Sequence, residues 1–435
     1  YAAVDVIAKM IPNELNITID KALKMNHELK NAYDTDEEVH HLIDMSKRLE
    51  GLPRHTSMHA AGVVISQKSV DEYVPLSRAS DGTITTQFTM TTLEELGLLK
   101  MDFLGLRTLT VIQNAQRLAE RDNGISLDLM KIDYNDPKVL AMIGSGKCEG
   151  VFQLESAGMK SFMKELKPQS LEDIIAGISL YRPGPMDFIP QYIRGKNHPE
   201  TITYRCPQLK PILEATYGCI VYQEQVMQIV REMGGYSLGR ADLVRRAMSK
   251  KKMSVMLEEK EYFINGKLDE NGEVEIPGCI RNGISREAAE AIFDDMVSFA
   301  QYAFNKSHAA AYGVVAYETG YLKKHYPVEF MAALMTSVMG DTAQIARYIR
   351  NCGDMGIEVL PPCVNKSMKK FSVENGKIHF GLLGVKNVGE GAIDAMIRAR
   401  TEKGEPRDIF SFINNLEISL VNKKAVESLI KAGAF

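Results

Sequence analysis

Three short β-like runs lie close together between residues 60 and 103, and helical patterns dominate the sequence on both sides of them. The runs span residues 60–66, 83–88 and 98–103; the first two are rich in β-branched residues, and turn residues bound the runs. Apolar residues recur at helical spacing through residues 1–52 and again after residue 107. Three short runs suffice only for a small sheet, so the pattern predicts a predominantly helical α+β fold.

Helix boundaries are marked most clearly after residue 107. Before that point, Thr35 followed by Glu38 forms a capping-box pattern and predicts the start of a helix. The charged, glycine-containing stretch 250–278 predicts an exposed excursion, and Pro361-Pro362 predicts a domain boundary followed by a β-like pair at 369–380 and a helical tail. The helices that the spacing predicts in this part of the chain are 109–120, 171–179, 223–233, 286–299 and 309–325.

Composition limits the class of protein. A chain of 435 residues with 45% hydrophobic residues has the length for about two to four globular domains. It contains no run of roughly 18 apolar residues and no signal-peptide pattern, and it begins at Tyr1. We expect part of a longer, soluble, cytoplasmic protein without membrane partners. Six cysteines without a C-x-x-C pair favour reduced thiols over a disulfide framework.

Charge is unevenly distributed, although the net charge is only −4. Residues 361–435 hold 12 Lys/Arg and 8 Asp/Glu, a net charge of +4. The segment 239–252 holds six basic residues and one acid, Asp242. Local concentration matters more for a phosphate-bearing partner than the total charge does.

Asp102 is the sharpest single candidate for chemistry. It ends an apolar run just before a helix, and a carboxylate at a strand end is well placed to hold a divalent metal ion. Lys100 lies two positions earlier, on the same face of a strand. The pair is suited to a metal–triphosphate unit, and the simpler alternative is an ion pair at a strand edge.

Two further clusters carry charge or hydrogen-bonding groups. Arg245 and Arg246 lie about 100° apart on a helix, so they can reach different oxygens of one polyphosphate; the alternative is a solvated helix end. Phe304-Asn-Lys-Ser-His308 precedes a helix, with Tyr302 as a nearby ring for stacking on a base. A plain N-cap by Ser307 is the alternative there, and both can hold at once.

The basic tail contains a glycine-rich turn, Leu383-Gly-Val-Lys-Asn-Val-Gly-Glu-Gly391, ahead of a predicted helix at 392–400. The turn resembles a helix-hairpin-helix, in which glycines let backbone N–H groups approach a DNA phosphate. A second, weaker unit ends the chain at 424–435. The candidate DNA-binding residues are Gly384, Lys386, Asn387, Gly389 and Gly391.

The ordered motifs together resemble one family, the bacterial replicative DNA polymerase III alpha subunit, a C-family polymerase of the DnaE type. The resemblance covers essentially the whole chain, and the form Lys-Met-Asp-Phe-Leu-Gly-Leu favours the DnaE type over the PolC type. The motifs are His59-Ala-Ala-Gly-Val-Val-Ile65, Lys100-Met-Asp-Phe-Leu-Gly-Leu106, Gly150-Val-Phe-Gln-Leu-Glu-Ser156, Tyr181-Arg-Pro-Gly-Pro185, Tyr222-Gln-Glu-Gln225, Gly239-Arg-Ala-Asp-Leu-Val-Arg-Arg-Ala-Met248 and Phe304-Asn-Lys-Ser-His308.

This resemblance implies a division into polymerase domains. Residues 1–57 would be part of a helical thumb, 58–106 the second part of a small palm sheet, 107–360 large helical fingers, and 361–435 a tandem helix-hairpin-helix region. Template-directed DNA synthesis from dNTP on primer–template DNA is the implied activity. The sliding clamp and other replisome subunits are the implied partners of the complete protein.

Site residues follow from the same resemblance. In the family, three palm aspartates hold two Mg²⁺ ions, and Asp102 matches the third of them. The other two belong to a Pro-Asp-x-Asp-x-Asp-Phe motif that this sequence does not contain, so we expect the fragment alone to be inactive. The implied nucleotide-binding residues are Lys100, Arg182, Arg245, Arg246, Tyr302, Asn305, Ser307 and His308. An error-prone paralogue and a non-catalytic DNA-binding module are the alternative functions.

Overall fold

The structure is a computed structural model that describes residues 1–12, 17–52, 58–79, 82–249, 253–300, 303–416 and 420–435. The chain divides into two compact units, Tyr1–Gly105 and Leu106–Phe435. Within the described ranges, no helix is both long enough and apolar enough to cross a membrane.

Helices open the first unit, as the apolar spacing predicts. Leu23, Leu29 and Ile43 form their small common core. Asp36 caps the fourth helix by accepting hydrogen bonds from the backbone N–H groups of Glu38 and Val39, so the prediction of a cap at Thr35 is wrong. The helices are α1 (Ala2–Lys9), α2 (Ile19–Met25), α3 (His27–Thr35), α4 (Glu37–Leu49) and, later in the unit, α5 (Met90–Glu95).

The described residues of the first unit also contain four strands, in two antiparallel pairs. The expected runs each contain a strand, and the short strand β2 was not predicted because it has only three residues, one of them charged. In the register of the first pair, Gly62 lies opposite Asp102 and Val64 opposite Lys100. The pairs are β1 (Gly62–Ile65) with β4 (Leu99–Asp102), and β2 (Leu76–Arg78) with β3 (Ile84–Thr86).

The second unit is mainly helical, and every helix predicted after residue 107 is present. Its α-helices are α6 (Arg107–Asn123), α7 (Pro137–Gly144), α8 (Ala157–Leu166), α9 (Leu171–Leu180), α10 (Ile189–Asn197), α11 (Lys210–Leu213), α12 (Gln223–Gly234), α13 (Leu238–Ser249), α14 (Met253–Asn265), α15 (Gly278–Arg281), α16 (Arg286–Ala300), α17 (Lys306–His325), α18 (Pro327–Ser337), α19 (Thr342–Asp354), α20 (Glu390–Lys403), α21 (Ile409–Asn415) and α22 (Lys423–Lys431).

Helix α17 is the central element of this unit. It packs against α9, α7, α6 and α18, and Gly313 permits its close approach to α9 because a Cβ there would lie 2.6 Å from Ile175 Cγ1. Ala316 and Tyr317 are fully buried in the core that α7, α8 and α9 share with it. The middle turns of α17 are therefore buried in the core of the second unit.

Residues 250–278 differ from the predicted exposed excursion. Helix α14 and the hairpin of β5 (Lys267–Leu268) with β6 (Val274–Ile276) occupy most of the segment. Phe263, Ile264 and Ile276 are buried in a core with α12, α13 and α16. Because charged residues surround these apolar positions in the sequence, the pattern did not indicate that one side of the segment is buried.

The predicted boundary at Pro361 lies inside a small mixed sheet. Strand β7 (Val359–Leu360) pairs in parallel with β9 (Lys377–His379), which pairs antiparallel with β8 (Ser372–Glu374). Beyond the sheet, a 3₁₀ turn at Leu382–Gly384 leads into α20, and α21 and α22 pack on the same apolar core. The predominantly helical α+β fold is confirmed.

Candidate functional site

Lys100 and Asp102 form a close pair on the edge strand β4 of the first unit. Their side chains share one face of the strand because side chains alternate in direction, and Lys100 Nζ lies 2.6 Å from Asp102 Oδ1. Gly62 on β1 leaves the space that they occupy: a Cβ there would lie 2.5 Å from Lys100 Cε and 3.0 Å from Asp102 Oδ1. Lys100 and Asp102 therefore form an ion pair, and the pairing of β1 with β4 leaves room for it.

The pair keeps Asp102 ionised. A hydrogen bond from Lys100 holds the pKa of Asp102 below its ordinary value of 3.8, and the positive potential of nearby His59 acts in the same direction. His59 Nδ1 accepts hydrogen bonds from the backbone N–H groups of Ala61 and Gly62, at 3.2 and 2.6 Å. Within the described residues, Asp102 Oδ2 has no hydrogen-bond partner, and the side chain is 43% exposed.

Asp102 fits one position in the ligand set of a hard divalent cation. Mg²⁺ takes oxygen ligands and is commonly bound by one or two carboxylates with waters and substrate phosphates. No group of three or more His, Cys, Asp or Glu residues suited to a metal ion occurs in the described parts of the chain. Asp102 can therefore offer one carboxylate oxygen, Oδ2, that has no hydrogen-bond partner among the described residues.

Arg245 is a firmly positioned cation of the basic segment in the second unit. Its Nε and Nη2 atoms donate to Asp242 Oδ1 at 2.9 and 2.7 Å, and its Nη1 atom donates to Gln223 Oε1 at 3.0 Å. The hydrogen bond from Arg245 lowers the pKa of Asp242, so the carboxylate stays charged. Two elements, α12 and α13, thus fix the direction of this guanidinium.

Arg246 shares the same carboxylate but remains accessible. Its Nε atom lies 2.7 Å from Asp242 Oδ2, and its side chain is 63% exposed. Arg240, from the same segment, is instead paired with Glu259 and Glu275 and contributes to packing. Lys250, Lys251 and Lys252 lie outside the described residues, so the phosphate-binding potential of the described segment rests on Arg245 and Arg246.

The start of α17 lies against the start of α12. Asn305, not Ser307, is the N-cap of α17: its Oδ1 accepts from the backbone N–H of His308 at 2.9 Å. Asn305 Nδ2 donates to Glu224 Oε1 at 3.0 Å, and the backbone N–H of Lys306 donates to the same carboxylate. The alternative of a cap at Ser307 is wrong because the shorter hydroxyl already lies within the first turn. Tyr302 lies outside the described residues.

Backbone pairing joins this contact to the Arg245 cluster. The backbone N–H of Gln223 donates to Phe304 O at 2.9 Å, and the N–H of Phe304 donates to Val221 O at 3.2 Å. Gln223, which accepts from Arg245, therefore lies directly beside the segment that carries Asn305. Arg245 and Asn305 are brought together through two successive residues of α12.

Arg182 and His308 line a cavity of about 510 Å³ beside this segment. The guanidinium of Arg182 stacks over Phe304 with its Cζ atom 4.0 Å from the ring centre, and Nε donates to Ser179 O at 3.0 Å. Burial lowers the pKa of Arg182 from its ordinary value. The ring of His308 lies 4.3 Å from that of Tyr312, centre to centre. The volume falls in the range that holds a small ligand.

Several residues of this arrangement were not singled out from the sequence. Gln223 and Glu224 lie in the Tyr222-Gln-Glu-Gln225 motif and connect the cations to α17. Asp242 appeared only as the single acid in a basic run, yet it orients both arginines. A lone acid spaced i, i+3 and i, i+4 from two arginines was the available signal.

The glycine-rich turn of the tail forms a tight hairpin. Asn387 adopts the left-handed conformation with φ 67°, and its Nδ2 atom donates to Ser428 Oγ at 3.2 Å, which ties the turn to α22. Gly389 caps α20, and Gly384 lies where a Cβ would meet Phe380 at 2.8 Å. Lys386 is exposed on the turn. Gly391 has open space around it.

Comparisons with known proteins agree with this architecture. The model of the bacterial DNA polymerase III alpha NTPase domain matches residues 1–105, and that of the bacterial DNA polymerase III alpha subunit finger domain matches 108–271. The chain belongs to the bacterial DNA polymerase III alpha subunit family, and it is a DnaE-type member. A helix-hairpin-helix model matches residues 356–435 of this family member.

Curated relatives in the family include three DNA polymerase III alpha subunits from distant bacteria. The Thermus aquaticus subunit is 46% identical over 435 residues, covering 98% of this chain and 35% of the relative. The subunits of Bacillus subtilis (strain 168) and Borreliella burgdorferi are 43% and 42% identical, covering 99% and 100% of this chain. The chain spans 37% of the length of each of these two.

Proposed function

We propose that this chain supplies part of the nucleotide- and DNA-binding machinery of a replicative DNA polymerase. The reaction is attack of a primer 3′-hydroxyl on the α-phosphate of a dNTP, with pyrophosphate leaving. The observation that carries the proposal is the Lys100–Asp102 pair in a member of this family: a carboxylate held ionised, with one oxygen free among the described residues, at the end of a strand.

Asp102 is proposed as a ligand of divalent metal, with Mg²⁺ as the ion. DNA polymerases use divalent metal ions, which activate the primer hydroxyl and neutralise charge on the leaving group. Asp102 contributes its free oxygen, and Lys100 keeps the carboxylate charged while presenting a cation of its own to phosphate. A single carboxylate does not position two ions, so the 435-residue fragment alone is proposed to be inactive.

Arg245 and Arg246 are proposed to bind the triphosphate. Guanidinium groups form charge-assisted hydrogen bonds with phosphate oxygens, and Arg245 already has its direction fixed by Gln223 and Asp242. Arg246 keeps most of its side chain exposed for a second contact. Helix α13 thus offers one cation with two hydrogen-bond partners and a second, more exposed cation.

The base and sugar of the nucleotide are proposed to contact the start of α17 and the adjoining cavity. Tyr302, Asn305, Ser307, His308 and Arg182 are the residues assigned to this contact. Arg182 and His308 line one cavity with Phe304 and Tyr312, and Asn305 is fixed by Glu224 beside Gln223. Aromatic faces and a stacked guanidinium are suited to a nucleobase.

The hairpin of the tail is proposed to bind the DNA backbone. Gly384, Lys386, Asn387, Gly389 and Gly391 form a turn whose glycine backbone and exposed lysine suit a phosphate. Double-stranded primer–template is the proposed substrate. The sliding clamp and other replisome subunits are proposed partners of the complete polymerase, and the bacterial cytoplasm is its proposed location.

The domain division is proposed on the same basis. Residues 1–57 are assigned to part of the thumb, 58–106 to the second part of the palm, 107–360 to the fingers, and 361–435 to the helix-hairpin-helix region. The sheet that contains β7 and β9 includes residues from both sides of position 361, so the last two regions share a folding unit.

Limited proteolysis of the 435-residue chain tests the proposal against a DNA-binding module without catalysis. The polymerase hypothesis predicts that dNTP protects the second unit from cleavage only when primer–template DNA is present. Protection by DNA alone, with no further effect of dNTP, would favour the non-catalytic module. Primer extension by the fragment alone is expected to give no product, and extension above background would contradict the proposed inactivity.

A further inference from the structure

Gln153 contributes an unused amide to the cavity that Arg182 and His308 line. Its side chain is exposed, and no hydrogen-bond partner for that amide occurs within the described residues. Phe152, the preceding residue, packs against Tyr312 with 5.1 Å between ring centres. The amide group therefore lies at the mouth of an aromatic cavity.

The backbone at Gln153 is unusual for a residue with a side chain. Its φ is 62°, in the left-handed region, which costs about 1 kcal/mol or more for a residue other than glycine. The neighbouring residues hold it there: Val151 and Leu154 are fully buried, and the backbone N–H of Phe152 donates to Thr319 Oγ1 at 3.1 Å. The fold thus fixes where the glutamine side chain begins.

The charge of the cavity favours a base over a phosphate. Among the described residues that line it, Arg182 is the one Lys or Arg, and that guanidinium is stacked on Phe304 and bonded to Ser179 O. Glu155 adds a carboxylate to the lining of the cavity. Its Oε2 atom accepts hydrogen bonds from Gly150 N and from the hydroxyl of Tyr348. A phosphate would meet this carboxylate, whereas a neutral nucleobase is suited to the rings.

We propose that Gln153 donates a hydrogen bond to the minor-groove edge of the newly forming base pair. This inference rests on the proposed polymerase function of the chain. Purine N3 and pyrimidine O2 are acceptors at equivalent places in the minor groove of every Watson–Crick pair. A single amide donor can therefore form this hydrogen bond with any of the four correct pairs. A mispair displaces these acceptors, and Gln153 is therefore a specificity-determining residue.

The test uses a polymerase chain completed upstream with the two remaining palm aspartates. Single-turnover incorporation of dCTP opposite guanine is compared with incorporation opposite 3-deazaguanine, which lacks the N3 acceptor, and incoming dGTP is compared with 3-deaza-dGTP. For the unchanged chain, we expect about a fivefold loss of incorporation efficiency with one of the two analogues. Gln153→Ala should show a similar loss with the natural nucleotides and little further loss with that analogue.

Asn375→Ala is the matched control. Asn375 is another exposed amide in the left-handed region, with φ 50°, in the turn between β8 and β9. Its removal should leave both natural and analogue incorporation unchanged. A thermal melt of each variant separates a folding defect from a lost contact, and Gln153→Asn, whose amide is shorter but whose backbone tolerates φ > 0, should also lose the analogue effect.

Additive losses from Gln153→Ala and from both analogues would overturn the inference, as would natural incorporation by Gln153→Ala equal to that of the unchanged chain. Failure of the completed, unchanged chain to extend any primer would instead contradict the proposed function. The two failures are therefore distinguishable in one series of measurements.

Discussion

The Nη1 atom of Arg245 donates to Oε1 of Gln223 across 3.0 Å, which joins the middle of α13 to the first residue of α12. The backbone N–H of Gln223 in turn donates to Phe304 O, beside the start of α17. A cation proposed for the triphosphate and a segment proposed for the base are thus held by the same residue. If both assignments hold, Gln223 links the contact to the triphosphate with the contact to the base.

Removal of Arg245 should chiefly weaken nucleotide binding. Arg245→Ala in the completed polymerase is expected to raise the KM for dNTP about ten- to a hundredfold, because a hydrogen bond to a charged group is lost. Gln223→Ala, which leaves the guanidinium but frees its direction, should give a smaller rise. Steady-state primer extension at varied dNTP concentration measures both.

Arg231 provides the control for that measurement. It is an exposed cation in the last turn of α12, so Arg231→Ala changes the net charge equally. The KM for dNTP should stay unchanged in this variant. An unchanged KM in Arg245→Ala would contradict the assignment of Arg245 to the triphosphate.

The sequence predicted elements whose periodicity is long or whose ends are well marked. The helices around 223–233 and 309–325 and the strand ending at Asp102 appear as expected. Predictions failed where two residues compete for one role. Asn305 and Ser307 are both residue types that suit an N-cap. Asn305 is the cap in the structure, because Glu224 on α12 holds its amide where the oxygen accepts from His308 N.

The roles of the candidate site residues stay predictions, but the structure shows where their side chains lie and with which partners they pair. Spacing alone placed Lys100 and Asp102 on one face, and the structure places their charged atoms 2.6 Å apart. Arg240 looked equivalent to Arg245 within the basic run, yet it is paired with Glu259, which lies 19 positions away in sequence. A contact across that distance depends on how α13 and α14 pack, which local patterns do not contain.

Replacement of Lys100 should change the titration of its neighbour. Lys100→Met removes the hydrogen bond that lowers the pKa of Asp102, so this pKa should rise toward its ordinary value of 3.8. A depressed carboxyl pKa stabilises the fold above the unfolded-state pKa, and this contribution is lost as the pH falls through the folded-state pKa. Carboxyl ¹³C chemical shifts of labelled aspartate measure the change.

Lys68→Met is the corresponding control, because Lys68 pairs with Glu72 in the same unit and is not among the groups that shift Asp102. The Asp102 titration should be the same as in the unchanged chain. Identical titrations in Lys100→Met and in the unchanged chain would show that the lysine does not hold the carboxylate.

Two helical glycines should respond in opposite directions to alanine. A Cβ at Gly158 would lie 1.7 Å from the hydroxyl of Tyr181, which stacks on Phe162 and lines the same cavity as Arg182 and His308. Gly158→Ala should lower the free energy of unfolding by about 1–3 kcal/mol. Gly353 in α19 has open space, so Gly353→Ala should raise it by up to about 1 kcal/mol.

Urea unfolding of the 435-residue chain measures both glycine variants, and equal stability of the two would contradict the close contact at Gly158. Gly158→Ala should also weaken dNTP protection in the proteolysis assay, because displacement of Tyr181 alters the cavity wall. Gly353→Ala should leave that protection intact.

Lys386 should affect DNA binding without affecting sequence preference. Lys386→Ala is expected to weaken binding of duplex DNA and to reduce the slope of log K against log salt by about 0.9, as for one lost phosphate contact. Lys377→Ala is the control, since Lys377 is an exposed lysine of the same tail region that pairs with Glu358. Equal salt slopes for Lys386→Ala and the unchanged chain would exclude the hairpin contact.

Primer extension by a chain completed upstream with the two remaining palm aspartates tests the central proposal most directly. The unchanged completed chain is compared with its Asp102→Asn variant, because asparagine keeps the shape of the side chain and removes the charge that a metal ion requires. We expect the completed chain with Asp102 to extend the primer. The Asp102→Asn variant should lose at least about a hundredfold of the extension rate while it still binds DNA. Equal extension by both would contradict the role of Asp102 as a metal ligand and leave the Lys100–Asp102 pair as a structural ion pair at a strand edge.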